Sequence, residues 1–396
     1  MIVAEGQSTT RSLPLYALGA GNFVVGIGAF IVIGILVPML QDLHLEKAQA
    51  GQVLTVYAIV YALTSPVLVA LTGRFDRRDV LLAGLGLFAL GSIVSALSGN
   101  FGLLLGSRVV AALGAALFTP VASAAGVGLA APADRPRALG IVFGGLTLAQ
   151  VAGVPLGSYL GYAFGWRSAF WAVVALSIVA IPTILVFVPR AISVPASSLA
   201  TLGRVLASPP LMIAVAFTVL FMGGAYVVYT YIAPMMEARF ALGPGGIMLF
   251  LIVFGVGAVV GNAIGAALTK RLGSVRTLAL LAIGQIALMP ALTLLPVGRE
   301  MALVLTLVWS LGAWSFMVPQ QARLVALAPA YQGLLLALNA SAIYVGVSIG
   351  SSVGGLVLGQ GSGFGMLGLA GAAIVVLALA SLAPDARQRR TAPAAP

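Results

Sequence analysis

The feature that most constrains this chain is a succession of long apolar runs that fills nearly its whole length. Divided at charges, Pro/Gly clusters and polar turns, the chain yields twelve runs near residues 14–40, 50–72, 79–98, 101–128, 137–163, 168–189, 209–235, 245–269, 275–297, 300–327, 333–359 and 364–383. A helix needs about 20 apolar residues to cross the hydrocarbon core of a bilayer, and the alternating pattern of membrane β-strands is absent. The sequence therefore predicts an all-α membrane protein with twelve transmembrane helices.

The composition excludes a soluble protein. Of the 396 residues, 61% are hydrophobic and 7% are charged, whereas soluble domains carry about 25% charged residues. The net charge of +11 does not indicate nucleic-acid binding, because the basic residues are scattered between apolar runs. With no cysteine and a single histidine, His44, the chain is predicted to have no metal site and no bound cofactor.

The positions of the charges predict the orientation of the chain. With a cytoplasmic N-terminus, the cytoplasmic segments hold 15 of the 20 Lys and Arg residues, Arg323 among them, and the outer segments hold 4. Arg108 lies inside a span. Because cytoplasmic loops are enriched in Lys and Arg, both termini are predicted to be cytoplasmic. The pair Trp166 and Arg167 falls at an outer boundary, where it is expected to be an interface anchor.

An internal repeat divides the chain into two halves. Residues 153–161 (GVPLGSYLG) match residues 346–354 (GVSIGSSVG) at five of nine positions, at an offset of 193 residues. The predicted domains are an N-terminal six-helix bundle (1–190), a cytoplasmic linker (191–208), and a C-terminal six-helix bundle with a short basic tail (209–396). Two such bundles with a site between them are typical of transporters.

Glycines at every fourth position mark three of the helices. Two sets lie in the repeated motifs and one in the eighth span: Gly153, Gly157 and Gly161; Gly346, Gly350 and Gly354; Gly257, Gly261 and Gly265. Small residues at this spacing let helices approach closely. Two interpretations stay open, static helix packing and a smooth face along which the two halves rock.

Four stretches carry a family resemblance, residues 72–82 (TGRFDRRDVLL), 107–114 (SRVVAALG), 144–161 (GGLTLAQVAGVPLGSYLG) and 338–355 (LNASAIYVGVSIGSSVGG). In this order the chain resembles the major facilitator superfamily, and within it the twelve-span drug/proton antiporter group that exports sugars, purines, arabinose or chloramphenicol. The resemblance implies a monomeric, multi-pass protein of the bacterial inner (plasma) membrane. It further implies that the protein exports a small molecule by alternating access, as an efflux antiporter driven by protons.

The resemblance also implies roles for individual residues. Asp76, with Arg74 and Arg77, would latch the two halves on the cytoplasmic side, and Arg108 would take part in substrate or proton coupling. The antiporter motif contributes the gating residues Gly153, Pro155 and Gly157. The chain departs from the family where Ala29 replaces an acidic residue of the first span. For Arg108 a structural interpretation, snorkelling or binding to carbonyls, stays open beside the functional one.

Polar and aromatic side chains near the middle of the spans are the predicted substrate-binding residues. They are Asn22, Tyr57, Tyr61, Tyr226, Tyr229, Gln320, Asn339 and Tyr344. Acidic residues are absent from the twelve predicted cores, and a cation is costly to bury without a counter-charge. We therefore expect a neutral or anionic substrate, and the alternatives are an importer or an uncoupled facilitator. An enzyme is not expected, since the spans offer no nucleophile–base pair, metal cluster or paired carboxylates.

Overall fold

The computed structural model describes residues 5–131, 134–192 and 199–383, and these ranges are almost entirely helical. The helices are α1 (Glu5–Asp42), α2 (Lys47–Leu71), α3 (Arg77–Leu97), α4 (Phe101–Leu129), α5 (Arg135–Phe164), α6 (Trp166–Phe187), α7 (Leu199–Leu206), α8 (Pro209–Tyr229), α9 (Ile232–Phe240), α10 (Pro244–Leu272), α11 (Ser274–Leu294), α12 (Arg299–Trp314), α13 (Met317–Leu327), α14 (Gln332–Gly359) and α15 (Gly365–Ala380).

The predicted fold class is confirmed. Within the described ranges, eleven helical segments are long and apolar enough to cross a membrane, and a twelfth apolar helix, α15, has 16 residues. Each coincides with one of the predicted runs, the seventh and tenth being built from two helices each. Large apolar side chains such as Leu63 and Val186 are more than two-thirds exposed, as expected for helices whose outer faces meet lipid. The orientation of the termini stays a prediction.

Two spans are interrupted, and a proline explains each interruption. The seventh span breaks at Thr230 between α8 and α9, and the tenth breaks at Ser315 between α12 and α13. Pro234 and Pro319 lie four residues beyond these breaks. A proline ring inside a helix clashes with the carbonyl four residues earlier and removes a hydrogen-bond donor. Other prolines, such as Pro120 in α4, leave their helices continuous.

The predicted linker contains a short amphipathic helix, α7. Its Val205 is buried against Leu211, Leu324 and Leu335 at the ends of three other helices, while Arg204 is exposed. Residues 199–206 of this segment, which the sequence predicts only as a linker, thus form a helix with one buried apolar face.

The helices group into two compact units, Met1–Leu45 with Val56–Ser198, and Glu46–Thr55 with Leu199–Pro396. In the first unit α1 packs along α5, and α3 packs between α4 and α6. In the second unit α8 packs along α14, α10 against α12, and α11 against α15. The first and fifth spans of each half therefore form the same pair, which is the pair that carries the repeated glycine motif.

Candidate functional site

Arg108 on α4 is the centre of a polar site inside the first unit. Its side chain is 1% exposed. Nη1 donates to the Gly28 carbonyl at 3.0 Å, and Nη2 donates to the Ala29 carbonyl at 3.4 Å. The guanidinium carbon lies 4.4 Å from the centre of the Tyr57 ring and 5.9 Å from that of Phe170.

These neutral groups are what stabilises the buried charge. Carbonyl dipoles and aromatic faces both attract a guanidinium, although less strongly than a carboxylate would. Nε of Arg108 has no hydrogen-bond partner among the described residues. Asp42, an acidic residue at the end of α1, is bonded to Trp166 and Arg167 instead. The site therefore presents a positive group with an unsatisfied donor.

Tyr57 and Tyr61 place two aromatic rings of α2 beside this arginine. They lie one helical turn apart, and both are 2% exposed. Tyr57 packs under the guanidinium, and Tyr61 lies beside Thr119 of α4 and Ser65 of its own helix. Two of the predicted binding residues thus share one environment with the residue predicted to couple transport.

In the second unit Tyr226 and Tyr229 belong to a buried aromatic cluster. The rings of Tyr226 and Tyr229 meet edge to face at 5.5 Å, and Tyr229 stacks on Phe254 at 4.0 Å. Phe254 in turn packs edge-on against Trp309 at 5.1 Å. Trp309 donates its Nε1–H to Gln285 Oε1 at 2.6 Å. No polar or charged pattern in the sequence marks Phe254, so its place in this cluster is visible only in the structure.

Three of the predicted binding residues hold neighbouring helices together. Asn22 of α1 donates to the Val142 carbonyl of α5 at 3.0 Å. Asn339 of α14 accepts from Thr218 of α8 at 2.5 Å, and Gln320 of α13 donates to the Ala214 carbonyl of α8 at 2.7 Å. These bonds explain why the side chains are buried. Tyr344 is also buried, at 8% exposure.

Arg323, which the sequence predicts to lie on the cytoplasmic side, is buried among other helices. On α13 it is 3% exposed, and its guanidinium lies 5.8 Å from the centre of the Phe217 ring. It also donates, at 3.5 Å each, to Gln320 Oε1 and to the Ser381 carbonyl beyond the end of α15. Its position within the tenth apolar run was a signal of burial that the count of charges by side overlooked.

Asp76 connects two segments of the first unit. One carboxylate oxygen accepts the Arg78 N–H at 2.9 Å and so caps the N-terminus of α3. The other accepts the Ala191 N–H, just beyond α6, at 2.7 Å. The Ala191 bond is the main cause that holds the pKa of the Asp76 carboxyl below its usual value. Arg77 is buried at 7% exposure, and Arg74 is exposed.

At the predicted outer end of the first unit, Arg167 and Trp166 connect three helices, and their role as interface anchors stays a prediction. Arg167 forms an ion pair with Asp42 at 2.6 Å, and Trp166 Nε1 donates to the same carboxylate at 3.0 Å. Arg167 also donates to the carbonyl of Ser98, the residue that follows α3. Trp166 is 2% exposed. These contacts tie the ends of α1 and α3 to the start of α6.

The glycine stripes lie inside each unit. A Cβ at Gly153, Gly157 or Gly161 of α5 would meet Ile27, Ile31 or Ile35 of α1. The stripes of α14 and α10 pack in the same way on α8 and on the α12 segment up to Ser315. Close packing of helices is therefore their observed role, and the gating role of Gly153, Pro155 and Gly157 stays a prediction.

The comparison with family models identifies the chain. The model described as Major Facilitator Superfamily matches residues 18–351. The chain belongs to the major facilitator superfamily. Membership of the drug/proton antiporter group within it stays an expectation.

Curated bacterial relatives within the superfamily match most of the chain. It is 29% identical over 342 residues to the uncharacterized MFS-type transporter YbcL of Bacillus subtilis (strain 168), covering 86% of this chain and 88% of YbcL. It is 27% identical over 378 residues to the inner membrane transport protein YdhP of Escherichia coli (strain K12), covering 95% and 96%. The chain is thus a multi-pass membrane transporter, a class of protein that is generally not enzymatic.

Solved structures of the superfamily share the fold. A bacterial homologue of the human lysosomal transporter Spinster, inward-facing and unoccupied, has a TM-score of 0.74 at 18% identity over 97% of this chain and 99% of that one. A mutant of the nucleoside transporter NupG has a TM-score of 0.76 at 14% identity over 94% and 99%. At these identities the likeness establishes the arrangement of helices alone.

The buried charges of the described residues share one sign. Among the residues that the structure describes, Arg77, Arg108 and Arg323 are buried, and no Asp or Glu is. Ala29, where the family resemblance implies an acidic residue, offers its backbone carbonyl to Arg108. The interior described here can attract negative charge and hydrogen-bond acceptors, and it offers no carboxylate to a cation.

Proposed function

We propose that this protein is a secondary active transporter that exports a small neutral or anionic molecule by alternating access, in exchange for protons. Membership of the superfamily supports transport of a small molecule across a membrane. Direction and proton coupling are proposed from the resemblance of the four motifs to the antiporter group. A drug, a sugar or a nucleoside-like metabolite would fit the polar and aromatic side chains of the interior.

The proposed preference for a neutral or anionic substrate rests on the environment of Arg108. It is buried with neutral partners, and its Nε keeps an unsatisfied donor within the described part of the chain. A substrate that brings an acceptor or a negative charge would gain from this group. A permanent cation would instead be desolvated without a counter-charge, which is costly.

A second candidate is an uncoupled facilitator or a proton-coupled importer. One observation favours the uncoupled case, because no carboxylate is buried among the described residues to carry a proton through the interior. In the antiport case Asp76, or an acid of the outer loops, would have to carry it. The two candidates differ in their response to a pH gradient.

The test is transport by purified protein in lipid vesicles with and without an imposed pH gradient. Probes are first chosen by thermal stability, since a bound ligand raises the unfolding midpoint by mass action. Uridine, a pentose sugar and chloramphenicol represent neutral substrates, benzoate an anion, and tetraphenylphosphonium a permanent cation. Gradient-driven movement of a neutral or anionic probe is expected. Probe transport that is the same with and without the pH gradient would contradict antiport. A preference for tetraphenylphosphonium would contradict the proposed preference for neutral or anionic substrates.

A further inference from the structure

Three basic side chains gather at the turn between α10 and α11, at the predicted cytoplasmic end of the second unit. Lys270 and Arg271 lie in the last turn of α10, and Arg276 lies in the first turn of α11. Gly273, with a φ of 79°, is the one residue between the two helices. All three basic side chains are exposed. We name Lys270, Arg271 and Arg276 the basic turn.

No acidic side chain of the two helices compensates the basic turn. Neither α10 nor α11 contains an Asp or a Glu. Glu237 on α9 and Glu300 on α12 are each separated from the turn by the full length of a helix. The ion pair found within the described ranges joins Arg167 to Asp42 in the other unit. The basic turn therefore presents three positive charges that no neighbouring carboxylate neutralises.

The corresponding turn of the first unit has a different charge. The motifs LTGR and LTKR lie 197 residues apart, and this offset relates residues 73–79 (GRFDRRD) to residues 270–276 (KRLGSVR). The first stretch holds three arginines and two aspartates, a net charge of +1, whereas the second holds three basic residues and no acid, a net charge of +3. The accumulation of positive charge is thus a property of the second half alone.

Arg276 occupies a position that is unfavourable for a cation. It is the third residue of α11, and the N-terminus of a helix carries the positive end of the helix dipole. Asp79, the third residue of α3 and the counterpart of Arg276, has the sign that this position favours. No side chain caps the start of α11. A negative group bound beside Arg276 would compensate both the arginine and the helix dipole.

An exposed apolar face of α11 leads up to the basic turn. Leu280 and Ile283 follow Arg276 by four and seven residues, so the three side chains lie on one face of the helix. Both apolar side chains are more than half exposed, and Leu272 at the end of α10 is 40% exposed. A soluble anion would contact only the charges of this surface. A molecule with an anionic head and apolar chains would contact both parts of it.

We propose that the basic turn is a binding site for an anionic phospholipid of the surrounding bilayer. The headgroup phosphate lies among Lys270, Arg271 and Arg276, and the acyl chains lie along Leu280 and Ile283. Charge complementarity supports this partner, because basic clusters at the ends of membrane helices attract anionic headgroups. The site belongs to one unit, and it depends neither on the direction of transport nor on the transported substrate.

The test uses the full chain in phosphatidylcholine vesicles and measures which lipid lies next to α11. Leu280→Cys is labelled with a fluorescent maleimide, which is specific because the natural chain has no cysteine. Quenching is compared between nitroxide-labelled phosphatidylglycerol, which is anionic, and nitroxide-labelled phosphatidylcholine, which has no net charge. Phosphatidylglycerol is expected to bind beside the label at least about fivefold more tightly, the effect of about one basic residue near an anionic headgroup. Equal quenching by the two lipids would overturn the proposal.

The matched control places the label in the first unit. Ala83 on α3 is exposed, and the offset of 197 residues relates it to Leu280. Because the turn beside Ala83 has a net charge of only +1, the preference for phosphatidylglycerol in Ala83→Cys should be much weaker. An equal preference at both labels would show a general attraction of anionic lipid to the protein, and it would overturn a site at the basic turn.

Neutralisation of the basic turn should remove the preference at position 280. In Lys270→Gln/Arg271→Gln/Arg276→Gln the two lipids should quench equally, and salt at about 0.5 M should act in the same direction, because it screens exposed charges. Since the side chains are exposed, the unfolding midpoint in detergent should not change. If the triple variant does not fold, Arg276→Gln alone gives the same test with a smaller effect. A preference that survives neutralisation would overturn the proposal.

A last comparison separates a lipid headgroup from a free phosphate. Inorganic phosphate is added in place of chloride at equal ionic strength, and the preference for phosphatidylglycerol at position 280 should stay the same, because a free anion makes no contact with the apolar face. Loss of the preference in phosphate would show that the basic turn is a site for soluble anions, and it would overturn the assignment to a phospholipid.

Discussion

At the scale of single residues, the charged side chains that are buried within the described ranges are arginines, and Arg108 is held by neutral groups. Arg108 binds the carbonyls of Gly28 and Ala29, and Arg323 lies between Phe217 and the Ser381 carbonyl. A buried charge with neutral partners adds little to stability, because desolvation offsets the attraction. Such residues are therefore candidates for roles in function rather than in folding.

Substitution of Arg108 tests whether this residue acts in transport or in folding. In Arg108→Met the buried charge is exchanged for an apolar side chain of similar length, which is commonly neutral or stabilising. The unfolding midpoint in detergent is expected to stay the same or rise, while transport falls at least about tenfold, or about 1.4 kcal/mol. Arg108→Lys keeps the charge but cannot reach both carbonyls, so it should be intermediate. Full transport by the methionine variant would leave Arg108 with a packing role only.

Asp76 gives a prediction about pH. Its pKa is lowered in the folded protein by the Ala191 N–H, so its contribution is present above the ordinary aspartate pKa of about 3.9 and is lost as the pH falls through the lowered value. Between about pH 5 and pH 8 the contact should thus be independent of pH. Hydrogen exchange of the Ala191 amide measures this, and a change of protection near pH 6 would show that another group controls the contact.

The same contact can be removed by mutation. Asp76→Ala is expected to raise the rate of trypsin cleavage after the exposed Arg190 about fivefold, since a lost cap costs about 1 kcal/mol. Asp79→Asn removes an equal charge from the first turn of α3 without touching the cap, and it should cleave at the original rate. Equal cleavage of all three proteins would mean that Asp76 does not hold this segment.

At the scale of helices, prolines determine where two spans are interrupted, and glycines determine how closely neighbouring helices pack. Pro234 and Pro319 interrupt their spans four residues upstream, whereas glycines allow α1 and α5 to approach until their backbones touch. Close backbone approach gains packing where lipid removes the hydrophobic driving force between helices. The pairs α1 with α5 and α8 with α14 form the equivalent scaffolds of the two halves.

Adjacent glycines on α5 test this packing. A Cβ at Gly145 would overlap the Gly19 carbonyl oxygen, whereas a Cβ at Gly144 would have nothing within 4 Å. Gly145→Ala is expected to lower stability by about 2 kcal/mol through overpacking. Gly144→Ala should keep or raise stability, because alanine is the better helix former. Thermal unfolding in detergent measures both, and equal midpoints would refute the close contact.

At the scale of the whole molecule, the distribution of Lys and Arg predicts the orientation of the chain in the membrane. The bias of 15 basic residues to 4 is strong enough to orient the chain in a membrane.

Single cysteines test the orientation, since the chain has none of its own. Gly99→Cys, in the exposed connection between α3 and α4, should react with a membrane-impermeant maleimide in intact cells. Phe75→Cys, 54% exposed between α2 and α3, should react only after the membrane is opened. The reverse pattern would place both termini outside.

The sequence by itself determined the class of the protein, the twelve spans, the repeat and the predicted orientation. Partition between water and lipid depends on composition over about 20 residues, so these properties are local and can be read in order along the chain. The four family motifs are likewise continuous stretches, and the match to the superfamily confirms what they implied about the fold.

The tertiary structure alone decided what the individual side chains touch. Arg108 meets a carbonyl 80 residues away, and Asp76 meets an amide 115 residues away. The burial of Arg323 and the packing of the glycine stripes inside each unit also depend on which helices become neighbours. Apolar helices of similar composition carry little information about their neighbours, because almost any face can meet either lipid or another helix.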